Sequence, residues 1–268
     1  QEVPAGIAPH FAQQVRKWLI DWADSEGYNI YTDGLVVHTT LDARLQAQAN
    51  LAVRNHTRAL QAIANTNWNK RDGWRTDNPL VQSLVRESGA YAALREKGLS
   101  ADAALQTLLQ DKAWMQSLRL SKTRIEAGFV ALDPETAAIR AWVGSRDFAT
   151  DAFDHVQQAR RQPGSTFKPF VYGAALEAGL SADDRRVDAA VEIALPGGEV
   201  WRPSDAGAPS DQAMRLRDAL AYSKNTITAQ LVQEVGPAKV ARLARNLGVR
   251  GSTLEAVPAL ALGASPVT

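Results

Sequence analysis

A serine and a lysine stand three residues apart in Arg161-Gln162-Pro163-Gly164-Ser165-Thr166-Phe167-Lys168-Pro169, directly after a Pro-Gly break. A serine hydroxyl is a poor nucleophile near neutral pH until a base takes its proton. A lysine amine can be that base if desolvation or neighbouring charge keeps it unprotonated. The Pro163-Gly164 pair predicts a helix that begins at Ser165, with Ser165 and Lys168 on one face. Unpaired N–H groups and the positive end of the helix dipole would there favour a developing negative charge. Pro169 agrees, because proline is tolerated only in the first turn. Spacing alone leaves an ordinary exposed Ser–Lys pair open as the alternative.

A second pattern, Ser223-Lys224-Asn225, follows the amphipathic run Leu216–Tyr222. A hydroxyl at such a helix end can pass a proton between an amine and a leaving group, and an Asn amide offers a donor and an acceptor to a peptide-like substrate. The competing reading makes Asn225 a simple cap for a helix from Thr226 to Val232. Lys168 rather than Lys224 is the expected base. Other candidates are poorer. His10, His38, His56 and His155 lack metal-ligand spacing, and there is no glycine loop for phosphate. His155 beside Asp154 could serve a serine hydrolase, but no nucleophile-elbow pattern surrounds Ser165. Trp68, Trp74, Trp142 and Trp201 suit either sugar platforms or core packing.

Ser-x-x-Lys followed by Ser-x-Asn resembles the penicillin-binding proteins and serine β-lactamases. The flanks, Ala159–Tyr172, Val130–Thr136 with Trp142-Val143-Gly144, Leu195-Pro196-Gly197-Gly198 and Leu231–Gly236, are similar to the transpeptidase domain of class A, bifunctional penicillin-binding proteins. Ala8–Phe11 and Gly34–Asp42 resemble the region that joins that family's glycosyltransferase and transpeptidase domains. Only Asn65 to Leu120 has no match of this kind. The resemblance implies an α/β (α+β) transpeptidase fold, a sheet flanked by helices with the nucleophile helix buried beneath it. It also implies a peptidoglycan D,D-transpeptidase: Ser165 as nucleophile, Lys168 as base, Ser223 as proton relay and Asn225 as substrate-binding residue. Substrates would be stem peptides ending in D-Ala-D-Ala, and β-lactams would acylate the same serine. No cofactor or metal is implied. The parent protein would be membrane-anchored on the extracytoplasmic side and would work with partners of the cell-wall machinery.

Alternatives within the superfamily are a β-lactamase, disfavoured by the lack of Glu-x-x-Leu-Asn after Ser223 and by Lys224 where class A β-lactamases carry Asp, and a D,D-carboxypeptidase. A non-catalytic fragment that binds peptidoglycan or a partner is the third reading. The family's Lys-Thr-Gly triplet does not occur after Ser223. Because Ser265-Pro266 reads as the start of a helix, the chain is expected to be part of a longer polypeptide, whose missing strand would supply the substrate-docking edge and one oxyanion donor.

Composition sets wider bounds. The 268 residues are 45% hydrophobic, enough for one large or two small cores, and a net charge of +1 gives no electrostatic case for a nucleic-acid partner. With no cysteine there is no disulfide framework, and no run reaches the ~20 apolar residues of a membrane span. Two regions are expected: 1–125, a linker and helical region, and 126–268, a transpeptidase domain. Periodicity and capping residues predict a helix over 11–23 and a strand over 35–40. A long helix capped by Asp42 should run to about 64, with Leu45, Ala49, Ala52, Val53, His56 and Ile63 on its packed face. Further helices are expected from Asn78-Pro79 to Gly98 and from Ser100 toward Ser117. A hairpin follows at 127–132 and 138–143, then a surface loop over 195–210 and a helix over 237–248 packed through Val240, Leu243, Ala244 and Leu247.

Overall fold

Five consecutive helices of the first half start where a short polar side chain accepts a hydrogen bond from a free backbone N–H. In the computed structural model, which describes residues 6–70, 73–195 and 197–268, the chain divides into two units, Gln1–Gln157 and Gln158–Thr268. The first unit carries α1 (Pro9–Glu26) and α2 (Ala43–Lys70), followed by α3 (Pro79–Arg86), α4 (Gly89–Glu96), α5 (Ala101–Gln110) and α6 (Lys112–Lys122). Asp42 accepts from the N–H groups of Arg44 and Leu45 at the head of α2. Asn78, Ser88, Ser100 and Asp111 cap α3 to α6 through their side chains. The single helices expected over 78–98 and 100–117 are therefore pairs, broken at Ser88 and Asp111, where a cap competes with helix continuation.

β1 (Phe129–Leu132) and β2 (Ile139–Val143) form an antiparallel hairpin around Asp133-Pro134-Glu135-Thr136. The Asp133 carboxylate, held by the Thr136 N–H and by Arg140, has its pKa lowered to about 2. β2 packs on α2 through Ala49, Val53, Ala141 and Val143. The buried face of α2 is Gln46, Ala49, Val53 and Thr57; Ala49 and Val53 lie on it as expected, whereas Leu45, Ala52, His56 and Ile63 are exposed. Gln46 is fully buried and takes the place of a strand: its Nε2 donates to the Trp142 carbonyl (2.9 Å) and its Oε1 accepts from the Trp142 N–H (2.8 Å). Gln61 does the same for the Thr123 carbonyl and the Ile125 N–H. Residues 35–40 form no strand. They are nearly all exposed and reach β2 only through Thr40, whose Oγ1 donates to the Ile139 carbonyl. Helices α3, α5 and α6 share a separate core of Val81, Val85, Leu105, Leu108, Met115 and Leu118.

The second unit opens with a 3₁₀ turn, Gly164–Phe167, that runs straight into α7 (Lys168–Glu177). β3 (Arg185–Val187), β4 (Ile193–Ala194), β5 (Val200–Trp201) and β6 (Ala213–Arg215) follow, pairing as β3–β6 and β4–β5. The loop expected over 195–210 is in part the turn of the β4–β5 hairpin, and its Pro196 lies outside the described residues. Next come α8 (Leu216–Ala221), α9 (Asn225–Val235), α10 (Pro237–Asn246) and a 3₁₀ segment, Pro258–Leu262. Val171, Ala175, Ile227, Leu231, Val232, Val240, Ala244 and Leu260 make one core among α7, α9, α10 and the last segment, while Leu247 is exposed. Among the described residues every ladder is two-stranded. No described helix is long and apolar enough to cross a membrane.

Candidate active site

Phe167 anchors the turn that carries the serine. It is 1% exposed and meets the Phe170 ring in a tilted contact, centroids 4.9 Å apart, a burial that stabilises the unit by about 1.5–3 kcal/mol. Thr166 Oγ1 closes the turn by donating to the Pro163 carbonyl (2.7 Å). Ser165 is exposed at its crest, and Lys168, first residue of α7, is buried at 1% exposure. The expected helix start is thus a 3₁₀ turn, in which residues i and i+3 eclipse, so Ser165 and Lys168 share a face.

Backbone-to-backbone packing braces this turn from behind. Gly164 and Gly263 both have positive φ, +58° and +72°, and a Cβ on Gly263 would lie within 2.8 Å of backbone atoms of Gly164. Arg161 exchanges two backbone hydrogen bonds of 2.9 Å with Val267. Pro266-Val267 is accordingly extended and paired. The expected helix start at Ser265 is not formed, because Ser265 is buried and its Oγ accepts from the Glu255 N–H instead.

Ser223-Lys224-Asn225 joins α8 to α9. The Ser223 N–H donates to the Leu220 carbonyl and the Lys224 N–H to that of Ala219, the paired bonds of a Schellman ending. Such an ending wants glycine at its left-handed residue, yet Ser223 sits there at φ +55°. Lys168 Nζ reaches this turn, donating to Ser223 Oγ (2.9 Å), to Asn225 Oδ1 (2.6 Å) and, in a very short contact, to the Ser223 carbonyl. Ser223 Oγ can donate as well as accept, so this geometry suits an ammonium giving three N–H groups or a neutral amine giving two and accepting one. Burial pulls the Lys168 pKa below the usual lysine range, against the opposing charge of Asp205. Among the described residues no hydrogen bond joins Ser165 Oγ to Lys168 Nζ; the serine faces solvent, one turn from the amine.

Asn225 is not the cap of α9, which has no side-chain cap. Its Nδ2 donates to the Ser204 carbonyl (2.7 Å), fixing which way the amide points, and its own N–H donates to Asp205 Oδ1 (2.7 Å). Lys224 forms an ion pair of 2.7 Å with Asp188, whose side chain is fully buried. Burial alone would raise the Asp188 pKa, but Lys224, Thr226 Oγ1 and the N–H and hydroxyl of Ser210 hold it far below the carboxylate range. The sequence pattern marks neither Asp188 nor Asp205. They lie in stretches of weak pattern and act on residues distant along the chain, so periodicity carries no signal of them.

The weaker candidates have other employment. His155 belongs to the first unit, where Nε2 lies 2.9 Å from Asp151 Oδ2. Glu126, Asp151 and His155 bring donor atoms within 4.8 Å of one another, but Arg124 and Arg146 pair with Glu126. Trp142 Nε1 donates to Asp154 (3.0 Å), and Trp68 and Trp74 meet edge to face.

Residues 127–263 match the model of the penicillin-binding protein transpeptidase domain. The chain is 40% identical over 148 residues to penicillin-binding protein 1A of Neisseria meningitidis, covering 54% of this chain and 18% of that one. It is 30% identical over 282 residues to penicillin-binding protein 1A of Rickettsia felis, which extends the similarity to 90% of this chain and 35% of the relative. The crystal structure of penicillin-binding protein 1A from Haemophilus influenzae aligns with a TM-score of 0.50 at 35% identity, over 53% of this chain and 21% of that one. The chain thus spans about a fifth to a third of these relatives.

Proposed function

This chain belongs to the penicillin-binding protein transpeptidase family, and on that premise we propose that it contributes the nucleophile half of a peptidoglycan D,D-transpeptidase site that β-lactams acylate. Ser165 Oγ attacks the carbonyl between the two terminal D-alanines of a stem peptide while Lys168 Nζ takes the hydroxyl proton. The peptide bond breaks as Ser223 Oγ relays a proton to the departing D-alanine amine. An acyl ester on Ser165 remains, and an acceptor amine displaces it to form the cross-link. Asn225 offers its amide to the substrate backbone.

The observation that carries this reading is Lys168: an amine at 1% exposure, one 3₁₀ turn from Ser165 and 2.9 Å from Ser223 Oγ. Its depressed pKa brings the neutral, proton-accepting form closer to working pH. For attack, the neutral amine of Lys168 turns its lone pair to Ser165 and accepts the hydroxyl proton. Residues 126–268 are assigned to the transpeptidase portion and 1–125 to a linker and helical region, a boundary supported by the start of the family match at 127. The protein would act on the extracytoplasmic side, anchored to the membrane by its parent and joined there by other proteins of wall synthesis.

The test is to incubate the natural full-length protein with a donor peptide ending in D-Ala-D-Ala and an amine acceptor. D-alanine release together with cross-linked product is expected. Release with only the shortened acid would make it a carboxypeptidase, repeated turnover of a β-lactam a β-lactamase, and no release a binding fragment.

A further inference from the structure

A cavity of about 1010 Å³ in the first unit lies between one stripe of α2 and the segment after β2. Asn50, Arg54, Arg58, Gln61 and Asn65 line the helix side at one-turn intervals. Arg124 and Arg146 line it too, but both pair with Glu126, and the Asp147 carboxylate is spent on its own loop, accepting from the Ala149 N–H and the Thr150 hydroxyl. Arg54 and Arg58 differ: among the described residues neither guanidinium has an ion-pair or hydrogen-bond partner. Two like charges at i and i+4 on a helix repel, about 6 Å apart along the axis, and the arrangement favours occupancy by an anion. Another lining residue is His10, 3% exposed, whose Nε2 is buried without a hydrogen-bond partner.

The geometry points to a binding site for a phosphoryl or pyrophosphoryl group carried on a larger organic body. Two unpaired guanidinium forks call for a multiply charged oxyanion, which each can grip through two parallel N–H groups. The volume exceeds what an inorganic ion fills and stands at the upper end of small-ligand sites. This site is independent of the serine chemistry, being built wholly from residues of the first unit.

The test measures binding of inorganic pyrophosphate to the 268-residue chain by calorimetry, and co-sedimentation with vesicles of phosphatidylglycerol against vesicles of phosphatidylcholine. Wild type should bind pyrophosphate, and the double variant Arg54→Gln/Arg58→Gln should lose at least ~10-fold in affinity, since each charge-assisted contact is worth about that factor or more. Both positions are exposed, so the variant should fold, as its circular dichroism will report. A charge-matched control, Lys97→Gln/Lys112→Gln, should bind as wild type. Retention on anionic vesicles that depends on Arg54 and Arg58 would identify a lipid headgroup as the source; pyrophosphate binding without retention would identify a soluble phosphate ester. Failure of wild type to bind either probe, or equal loss in the control variant, would overturn the proposal.

Discussion

Ser223 occupies a left-handed position that a helix ending of this kind normally gives to glycine, and two substitutions there separate backbone strain from chemistry. Ser223→Ala and Ser223→Gly both delete the hydroxyl that Lys168 touches at 2.9 Å, and they differ only in a Cβ held at φ +55°. A left-handed non-glycine residue costs about 1–2 kcal/mol, and glycine gives back roughly 0.4–1 kcal/mol through the greater entropy of its unfolded chain. Ser223→Gly should therefore be the more stable variant by about 1 kcal/mol, a Tm difference of ~2–4 °C for a chain of this size. Both variants should lose ~10²-fold or more in acylation by a fluorescent penicillin, because each lacks the hydroxyl proposed as proton relay. Differential scanning calorimetry and stopped-flow labelling of the natural full-length protein make the comparison. Equal melting of the two variants would refute the strain argument, and undiminished labelling in either would refute the relay.

Three further outcomes follow from the geometry. Lys224→Met should destabilise by about 2–3 kcal/mol, because it leaves Asp188 buried without its counter-ion, and adding Asp188→Asn should recover part of the loss in denaturant melts. Gly263→Ala should cost about 1–3 kcal/mol and slow labelling with Ser165 untouched, since its Cβ collides with Gly164 behind the turn that carries Ser165; unchanged melting and labelling would mean the brace yields freely. Asp188 has a folded-state pKa below its unfolded value, so its contribution is present above the ordinary carboxylate pKa of about 4 and is lost as pH falls toward the folded value; an acid titration of Asp188→Asn should therefore show a flatter decline below pH ~4 than wild type.

What the sequence discloses is local. Asp42, Asn78 and Ser100 announce their helices because a cap acts over two or three residues. The two serine motifs are legible because their chemistry sits in contiguous triplets and quartets, although the contact of Lys168 with Ser223 and Asn225 closes only in three dimensions. Longer-range devices stay hidden. Gln46 is polar at a buried position, so a hydrophobic stripe drawn through Leu45 misses the face that mimics a strand against Trp142. Ser265-Pro266 has the letters of a helix start, but pairing of Val267 with Arg161 fixes an extended backbone. Asp188 and Asp205 reach Lys224 and Asn225 across the chain, and nothing near them in sequence marks that role.

The central claim is that Ser165 is the acylated nucleophile and that Lys168 takes its proton. The direct measurement is peptide mapping by mass spectrometry of the natural full-length protein after reaction with benzylpenicillin, repeated across pH. The account predicts one adduct, on the peptide that carries Ser165, absent in Ser165→Ala and slowed ~10²–10⁴-fold in Lys168→Ala. Its rate in wild type should rise with pH around a midpoint below the usual lysine pKa, as the buried amine becomes neutral. An adduct on any other residue, or a rate in Lys168→Ala equal to wild type, would contradict it.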